Sequence, residues 1–277
     1  MAGALIIVFR EVIEAGLIIG IVLAATRRLQ GSRLWISGGA AAGLIGSCIV
    51  AGFMTVIASS FGGFGQEILN IGILLTAVVM LIWHNVWMAG HGRTLADDLF
   101  TAGREVMEGK RPQIALAIVV GAAILREGSE VVLFLYGIAV SDGGSILSLT
   151  AGGLIGLLLG VILSAITYFG LVRIPTRHVF TVTTWLITFL AAGMAAQATG
   201  FMQQGGFVEF LPDVLWDTSA ILSESSVLGR ILHTLIGYSE QPTALQVVSY
   251  VMVLAAMVIL TRIARPAAAP KRVAGRV

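Results

Sequence analysis

Residues 4–25 read ALIIVFREVIEAGLIIGIVLAA, an apolar stretch whose middle carries Arg10, Glu11 and Glu14. About 20 apolar residues are enough to cross a bilayer as a helix. Charged side chains at membrane depth are costly, and they usually mark ion or proton pathways. The stretch has no basic segment before it and has charges inside it, so it does not resemble a cleaved signal peptide. It predicts a retained membrane-spanning helix with a functional centre.

The same pattern, Arg-Glu-x-x-Glu, returns at residues 126–130, near the middle of the apolar stretch 113–137. A weaker echo joins the Gly/Ala-rich residues 41–46 to residues 151–156. The sequence therefore predicts that helices 1–3 are repeated as helices 4–6. Because three is an odd number, the second unit enters the membrane from the opposite side. Transporters built from such inverted repeats bind substrate near the midplane, where the repeats meet.

Composition agrees with an all-α integral membrane protein, because 57% of the 277 residues are hydrophobic and only 12% are charged. A soluble domain carries about 25% charged residues. The single cysteine, Cys48, excludes an intrachain disulfide and a Cys-x-x-Cys metal site. We predict one permease domain, 1–264, that spans the lipid and has no nucleic-acid partner, and a basic tail, 265–277. The seven predicted transmembrane helices are 4–25, 34–59, 67–90, 113–137, 146–171, 178–200 and 244–263.

The basic residues predict the orientation, because loops rich in Lys and Arg stay in the cytoplasm. Nearly all of them follow helices 1, 3, 5 and 7, which puts the N-terminus outside and the C-terminus inside. The long outer segment 201–243 is expected to form one or two interfacial helices, capped by Ser225 or Ser226. Acidic residues on or near the outer side are Glu67, Asp142, Glu209, Asp213, Asp217, Glu224 and Glu240.

The spacing within each motif favours a cation site. Residues three or four apart share one face of a helix, so Glu11 and Glu14 point together, as do Glu127 and Glu130. Four carboxylates against two arginines leave net negative charge, which suits a metal that prefers oxygen ligands. Arg10 and Arg126 are expected to orient the carboxylates rather than bind metal. A purely structural ion pair between helices would explain one Glu per Arg, not two.

Other candidate ligands lie in helix 3. Glu67, at its outer start, is a candidate ligand at the outer mouth. His84 and His91 share a stripe with Met80 and Trp87, and they are a candidate exit path toward the cytoplasm, although interfacial Trp and His also serve as ordinary anchors. No histidine is obvious at the depth of the two motifs.

Taken together, the two motifs resemble the hallmark of the oxidase-dependent iron transporter family, which includes fungal high-affinity iron permeases and bacterial counterparts. Residues 215–219, Leu-Trp-Asp-Thr-Ser, and Gly237-Tyr238 followed by Pro242 are similar to the bacterial branch. The resemblance implies iron import across the cytoplasmic (inner) membrane, with Glu11, Glu14, Glu127 and Glu130 as ligands.

Two further expectations come from that resemblance. Family members often carry a second acidic residue near the start of helix 3, where this chain has Asn70. Members also work with partners, either a multicopper oxidase or a periplasmic cupredoxin-like or iron-binding protein. The chain itself shows no residues for a permanent cofactor, so iron is expected as transported substrate and any change of its oxidation state would occur on a partner.

Two alternatives stay open at this point. One is transport of another divalent metal such as lead or manganese, since oxygen ligands discriminate weakly among these ions. The other is an intramembrane hydrolase in which a glutamate activates water. A hydrolase normally needs one asymmetric acid–base site, whereas this motif is duplicated, so we expect a transporter and not an enzyme.

Overall fold

A computed structural model describes residues 1–60, 66–142, 146–170 and 176–264 of the chain. These ranges are mainly helical and contain no β-strand, only an isolated bridge between Val214 and Thr243. The described helices are α1 Ala2–Ala25, α2 Ser32–Ser60, α3 Gln66–Met107, α4 Ile114–Asp142, α5 Ile146–Tyr168, α6 Thr176–Gln204, α7 Val227–Ile236 and α8 Ala244–Ala264. Seven of them correspond to the seven predicted spans, and the predicted tail 265–277 lies outside the described residues.

Five helices are long and apolar enough to cross a membrane: Ser32–Ile57, Glu67–Gly92, Ile146–Tyr168, Phe180–Gln204 and Ala244–Ala264. This confirms an all-helical integral membrane protein. Helices α1 and α4, with 24 and 29 residues, are as long but carry the charged motifs. Apolarity alone therefore supports five spans, and the number seven stays a prediction.

Close helix packing links the two predicted repeat units crosswise. Helix α1 packs along α5, and its counterpart α4 packs along α2. Gly152 of α5 lies against Ala4, and Gly160 lies against Val12, so α1 and α5 run parallel. Helices α2 and α4 pair in the same way. In the predicted 3+3 repeat, α1 corresponds to α4 and α2 corresponds to α5. The pair α1–α5 is therefore equivalent to the pair α4–α2, as such a repeat requires.

The long helices alternate in direction. Gly3, at the start of α1, lies against Ile138 near the end of α4, so these equivalent helices are antiparallel. Helix α3 also runs antiparallel to α4, and α6 runs antiparallel to both α3 and α8. Equivalent helices that run in opposite directions are the signature of an inverted repeat. The orientation of the whole bundle in a membrane stays a prediction.

The core lies between α1, α3, α4, α6 and α8. Its buried members include Ile7, Leu74, Phe134, Met194 and Met257. Helices α2 and α5 are peripheral instead, and their outer faces expose large apolar side chains such as those of Phe53 and Leu158. Exposed apolar faces of this kind suit contact with lipid tails. The polar chemistry is therefore held at the centre, by α1, α3 and α4.

Helix α3 differs from its prediction. The span was expected to end at residue 90, but the helix continues to Met107. Leu95, Leu99 and Val106 recur at helical spacing and pack with Val22 and Leu116 in a second buried cluster. This extension is therefore an amphipathic helix and not a loop, because its apolar stripe finds a partner surface.

The outer segment contains one helix among its described residues, α7. The Ser226 side chain accepts a hydrogen bond from the Gly229 N–H, which confirms the expected serine cap. Gly237 ends the helix in the left-handed conformation, with φ 69°. The carboxylates of Glu224 and Glu240 each accept a hydrogen bond from the other residue's backbone N–H, at 3.0 and 2.8 Å. These bonds give the segment a defined shape.

Candidate metal site

The two motifs meet in the interior of the bundle. Glu11 and Glu14 on α1 and Glu127 and Glu130 on α4 are all buried, with 1% to 6% of their surface exposed. They converge because α1 and α4 cross in contact near their middles and because each motif presents one helical face. Ionised groups buried this deeply are unfavourable unless they are paired or coordinated.

Each arginine holds the second glutamate of its own motif. The Nε of Arg10 lies 2.9 Å from the Oε1 of Glu14, and the Nε of Arg126 donates a hydrogen bond of 3.0 Å to the Oε1 of Glu130. The expected pairing at i and i+4 is therefore confirmed. Arg10 also approaches Glu11 at 3.5 Å. Among the described residues, Glu127 is the one motif glutamate that forms no ion pair.

His84 of α3 lies among these carboxylates. Its Nε2 is 3.4 Å from the Oε2 of Glu14 and 4.0 Å from the Oε2 of Glu11, and its Nδ1 contacts the Oε2 of Glu130. The expectation that no histidine lies at the depth of the motifs is wrong. His84 lies about 27 Å from the N-terminal end of α3, and Glu11 lies about 14 Å from the N-terminal end of α1. Because α3 begins about 13 Å beyond the level at which α1 begins, His84 near the middle of α3 is level with the middle of α1.

One group of potential metal ligands joins both motifs to α3, and it differs from the four glutamates that the motifs suggest. One ligand atom each from Glu11, His84, Glu127 and Glu130 lies within 4.8 Å of the others. The Oε2 atoms of Glu11 and Glu127 have no hydrogen-bond partner among the described residues, whereas the Oε2 of Glu130 contacts the Nδ1 of His84. Glu14 lies beside this group, held by Arg10. Buried acceptors clustered without donors are chemically suited to a cation.

The remaining predicted residues lie outside the group. His91 is exposed, and its ring stacks on Trp87 with 5.3 Å between ring centroids. The guanidinium of Arg126 lies 4.4 Å from the centroid of the Trp87 ring. A stripe therefore runs from the site along α3 as far as His91, and its use as an exit path stays a prediction.

Glu67 is exposed in the first turn of α3, about 26 Å along that helix from His84. Asn70 follows one turn later and is half-buried. Neither belongs to the central group. A role for Glu67 at the outer mouth stays a prediction that is independent of the central site.

Asn85 is a buried polar residue that the sequence analysis did not single out. It is 3% exposed, and neither polar atom of its amide has a hydrogen-bond partner among the described residues. An unpaired buried amide costs about 1–3 kcal/mol. The signal in the sequence was an adjacent His-Asn pair inside an apolar stretch, which a purely structural span has no reason to carry.

Both the family model and the individual relatives that match this chain are iron permeases. The family model described as the iron permease FTR1 family matches residues 1–267. Ferrous iron permease EfeU of Escherichia coli O157:H7 is 31% identical over 248 residues, which cover 87% of this chain and 88% of that protein. Ferrous iron permease EfeU of Yersinia pestis is 30% identical over 261 residues, 92% of this chain and 91% of that protein. No solved structure matches the chain.

Proposed function

The chain belongs to the iron permease FTR1 family, and we propose that it imports iron across the cytoplasmic membrane through the buried glutamates of its two motifs. Family membership and the apolar helices make it a multi-pass membrane protein and a permease of iron. What the family does not assign is the site in this chain, the route through it and the form of iron carried. We infer these from the geometry.

The observation that carries the proposal is the meeting of two antiparallel charged motifs inside an apolar bundle. Their four carboxylates and two guanidinium groups carry a formal charge of −2. Each charged group held at membrane depth costs about 3 kcal/mol. A divalent cation offsets that charge and uses the acceptors that have no donor. A structural ion pair would need only Arg10 with Glu14 and Arg126 with Glu130.

The two-fold arrangement suits alternating access. Each half of the bundle supplies one motif, and the halves meet at the site. Small movements of one half against the other can then open the site first to one side and then to the other, as in other inverted-repeat transporters. The ferrous form named for the relatives is the form proposed for this chain.

A periplasmic protein is the proposed donor of iron, docking over the outer segment 201–243. No described residues form a redox centre within the chain, so any oxidation or reduction of iron is assigned to that partner. The segment's exposed acidic residues are the proposed contacts.

Transport remains the preferred function over hydrolysis. His84 lies beside the glutamates, so a hydrolase would have a histidine at its site. What supports transport is the family and the contribution of both repeat halves to one site. Transport of lead or manganese is the second candidate, favoured only by the weak selectivity of carboxylate ligands.

The test is iron uptake by cells that lack their other iron importers. Glu127→Gln is the most informative variant, because Glu127 forms no ion pair among the described residues and the amide keeps its shape. We expect its uptake to fall to the background of cells without the permease. Glu108→Gln, which removes an exposed carboxylate at the end of α3, is the matched control and should keep wild-type uptake.

Wild-type uptake by a membrane-inserted Glu127→Gln variant would contradict the proposed site. Parallel uptake measurements with Mn²⁺ and Pb²⁺ separate the second candidate. An iron permease should take up iron in preference to either ion, whereas faster uptake of Mn²⁺ or Pb²⁺ would favour the alternative.

A further inference from the structure

Within the part of the chain that the structure describes, His84 is the one side chain that forms ion-pair contacts with both motifs. Its Nε2 faces the carboxylates of α1, and its Nδ1 faces Glu130 of α4. It is 1% exposed, so water does not screen these approaches. We propose that His84 is a nitrogen ligand to the transported cation and that it gives the site its preference for transition metals over Mg²⁺ and Ca²⁺. This inference rests on the proposed function.

The dimensions of the site fit direct coordination. Metal–nitrogen and metal–oxygen bonds of about 2.0–2.2 Å place opposite ligands about 4.0–4.4 Å apart. The ligand atoms of Glu11, His84, Glu127 and Glu130 already lie within 4.8 Å of one another. These four residues are therefore the ones that would form a coordination shell of three carboxylates and one imidazole. Glu14, whose Oε2 lies 3.4 Å from the Nε2 of His84, is adjacent to this shell.

The histidine also breaks the symmetry of the repeat. Helix α6 occupies the place of α3 in the second unit, and its central residues Leu190, Ala191 and Met194 are part of the apolar core. Both halves contribute carboxylates from their motifs, but among the described residues only α3 adds an imidazole to the group. A duplicated motif explains binding of a cation. The one residue that departs from the duplication is therefore where selectivity is expected to be set.

The chemistry of the ligands gives the direction of the selectivity. Carboxylate oxygens alone suit Mg²⁺, Ca²⁺ and Mn²⁺, whereas imidazole suits iron, zinc, copper and nickel. Mg²⁺ and Ca²⁺ are hard ions that take oxygen ligands. A site with one nitrogen ligand is thus penalised for them and favoured for iron. The competing role for His84 is a protonated cation that only neutralises the glutamates.

The first experiment distinguishes a ligand from an ion-pair partner. Purified protein in detergent is loaded with Mn²⁺ alone, and pulsed electron paramagnetic resonance is used to detect nitrogen coupled to the metal. We expect nitrogen modulation in the wild type and its loss in His84→Gln. The control His91→Gln, which removes an exposed imidazole about two turns further along α3, should keep the modulation. Modulation that persists in His84→Gln, or is absent from manganese-loaded wild type, would overturn the inference.

The second experiment measures selectivity in transport. Iron uptake by proteoliposomes is titrated with Mg²⁺ or Ca²⁺ as competitor. Loss of even an outer-shell partner of a metal site costs about 10–100-fold, so we expect His84→Gln to be inhibited at competitor concentrations lower by about tenfold or more. An unchanged inhibition profile would overturn the selectivity role.

The experiments on Glu127 and His84 test the proposed function and the ligand role of His84 independently. If Glu127→Gln abolishes uptake but His84→Gln keeps both the nitrogen signal and the competition profile of the wild type, the glutamate site stands and the role of His84 does not. If Glu127→Gln transports iron normally, the proposed function itself fails, whatever His84 does.

Discussion

At the scale of single residues, the two arginines occupy different environments although the motifs are identical in pattern. The side chain of Arg10 is 2% exposed and approaches two carboxylates. The side chain of Arg126 is 37% exposed, bonds one carboxylate and stacks on Trp87. Water can replace part of the hydrogen bonding that the exposed Arg126 gives its carboxylate. It cannot replace the contacts that the buried Arg10 makes with two carboxylates. The two halves of the site therefore depend unequally on their arginines.

The Arg→Lys variants should show this difference. Lysine keeps the charge but lacks the planar fork that holds two acceptors. We expect Arg10→Lys to reduce iron uptake by about tenfold or more, and Arg126→Lys to reduce it by about two- to threefold, on the basis of the larger cost of disturbing a buried charge. Uptake by cells with matched amounts of inserted protein is the measurement. Equal losses in both variants would contradict the unequal dependence.

The sequence predicts much of the site at this scale, and the missing part has a geometric cause. The spacing of Arg10, Glu11 and Glu14 fixes which side chains share a face, and that part follows from helix geometry alone. The depth of His84 does not follow from spacing within α3. It depends on how far α3 slides along α1, which is set by packing between the helices and cannot be read from either helix by itself.

At the scale of helices, glycines set the distance between the paired elements of the two repeats. Gly39 of α2 lies against the backbone of α4, where a β-carbon would be 2.7 Å from the Cα of Ala117. Two helix backbones cannot separate at one residue without losing contacts along their length. A β-carbon added to the preceding residue, Gly38, would have no heavy atom within 4 Å.

This neighbouring pair makes a matched test of the packing. Gly38→Ala should leave the thermal unfolding temperature unchanged or raise it, since alanine favours a helix by about 1 kcal/mol over glycine. Gly39→Ala should lower it, because overpacking typically costs about 1–3 kcal/mol. Unfolding of the purified protein in detergent is the measurement. A Gly39→Ala protein as stable as Gly38→Ala would mean that the helices are not in contact there.

Helix boundaries show which elements the sequence can predict. The apolar stretches of α5 and α8 end at turns or polar residues, and their predicted ends are close to those observed. The end of α3 was missed because residues 93–107 carry many charges. Their apolar stripe stabilises a helix only because it packs against α1 and α4. That packing depends on the tertiary structure and cannot be predicted from residues 93–107 alone.

At the scale of the whole molecule, the number of membrane crossings is the main open prediction. The alternating directions of α1–α6 and α8 suit seven crossings, with α7 lying at the outer surface. If α1 or α4 did not cross, the loops at its two ends would lie on one side of the membrane. Labelling of loop residues therefore decides the topology.

Single cysteines in a Cys48→Ser background provide this test. We expect a membrane-impermeant thiol reagent added to cells whose outer membrane is permeabilised to label Ile146→Cys and Ile221→Cys. It should not label Arg28→Cys or Lys110→Cys until the inner membrane is opened. Labelling of Lys110→Cys in intact inner membranes would overturn the proposed orientation. Protection of both Ile146→Cys and Lys110→Cys would mean that α4 does not cross.

The outer segment gives the last prediction, because its acidic residues fall into two groups. Asp217 accepts hydrogen bonds from the hydroxyl and N–H of Ser219 and from Gln241, and these bonds hold the pKa of Asp217 below its usual value. Glu224 bonds the backbone of Glu240. These two carboxylates shape the segment.

Glu209 and Asp213 are exposed, and their carboxylates make no hydrogen bond with other described residues, so they are free to meet a partner. The double variant Glu209→Gln/Asp213→Asn should therefore lower the uptake that depends on a periplasmic iron donor while the segment stays resistant to protease. Asp217→Asn/Glu224→Gln should instead make the segment more sensitive to protease, because the bonds that it loses are internal.

Uptake from free iron at high concentration is the control, since it bypasses the donor and should be unchanged in the first variant. If both double variants lower uptake only in proportion to proteolysis, the segment serves as a structural cover. If the first variant takes up donor-bound iron at the wild-type rate, docking does not use these acidic residues. Either result would leave the central glutamates as the proposed site of iron, because they lie in other helices and make none of these contacts.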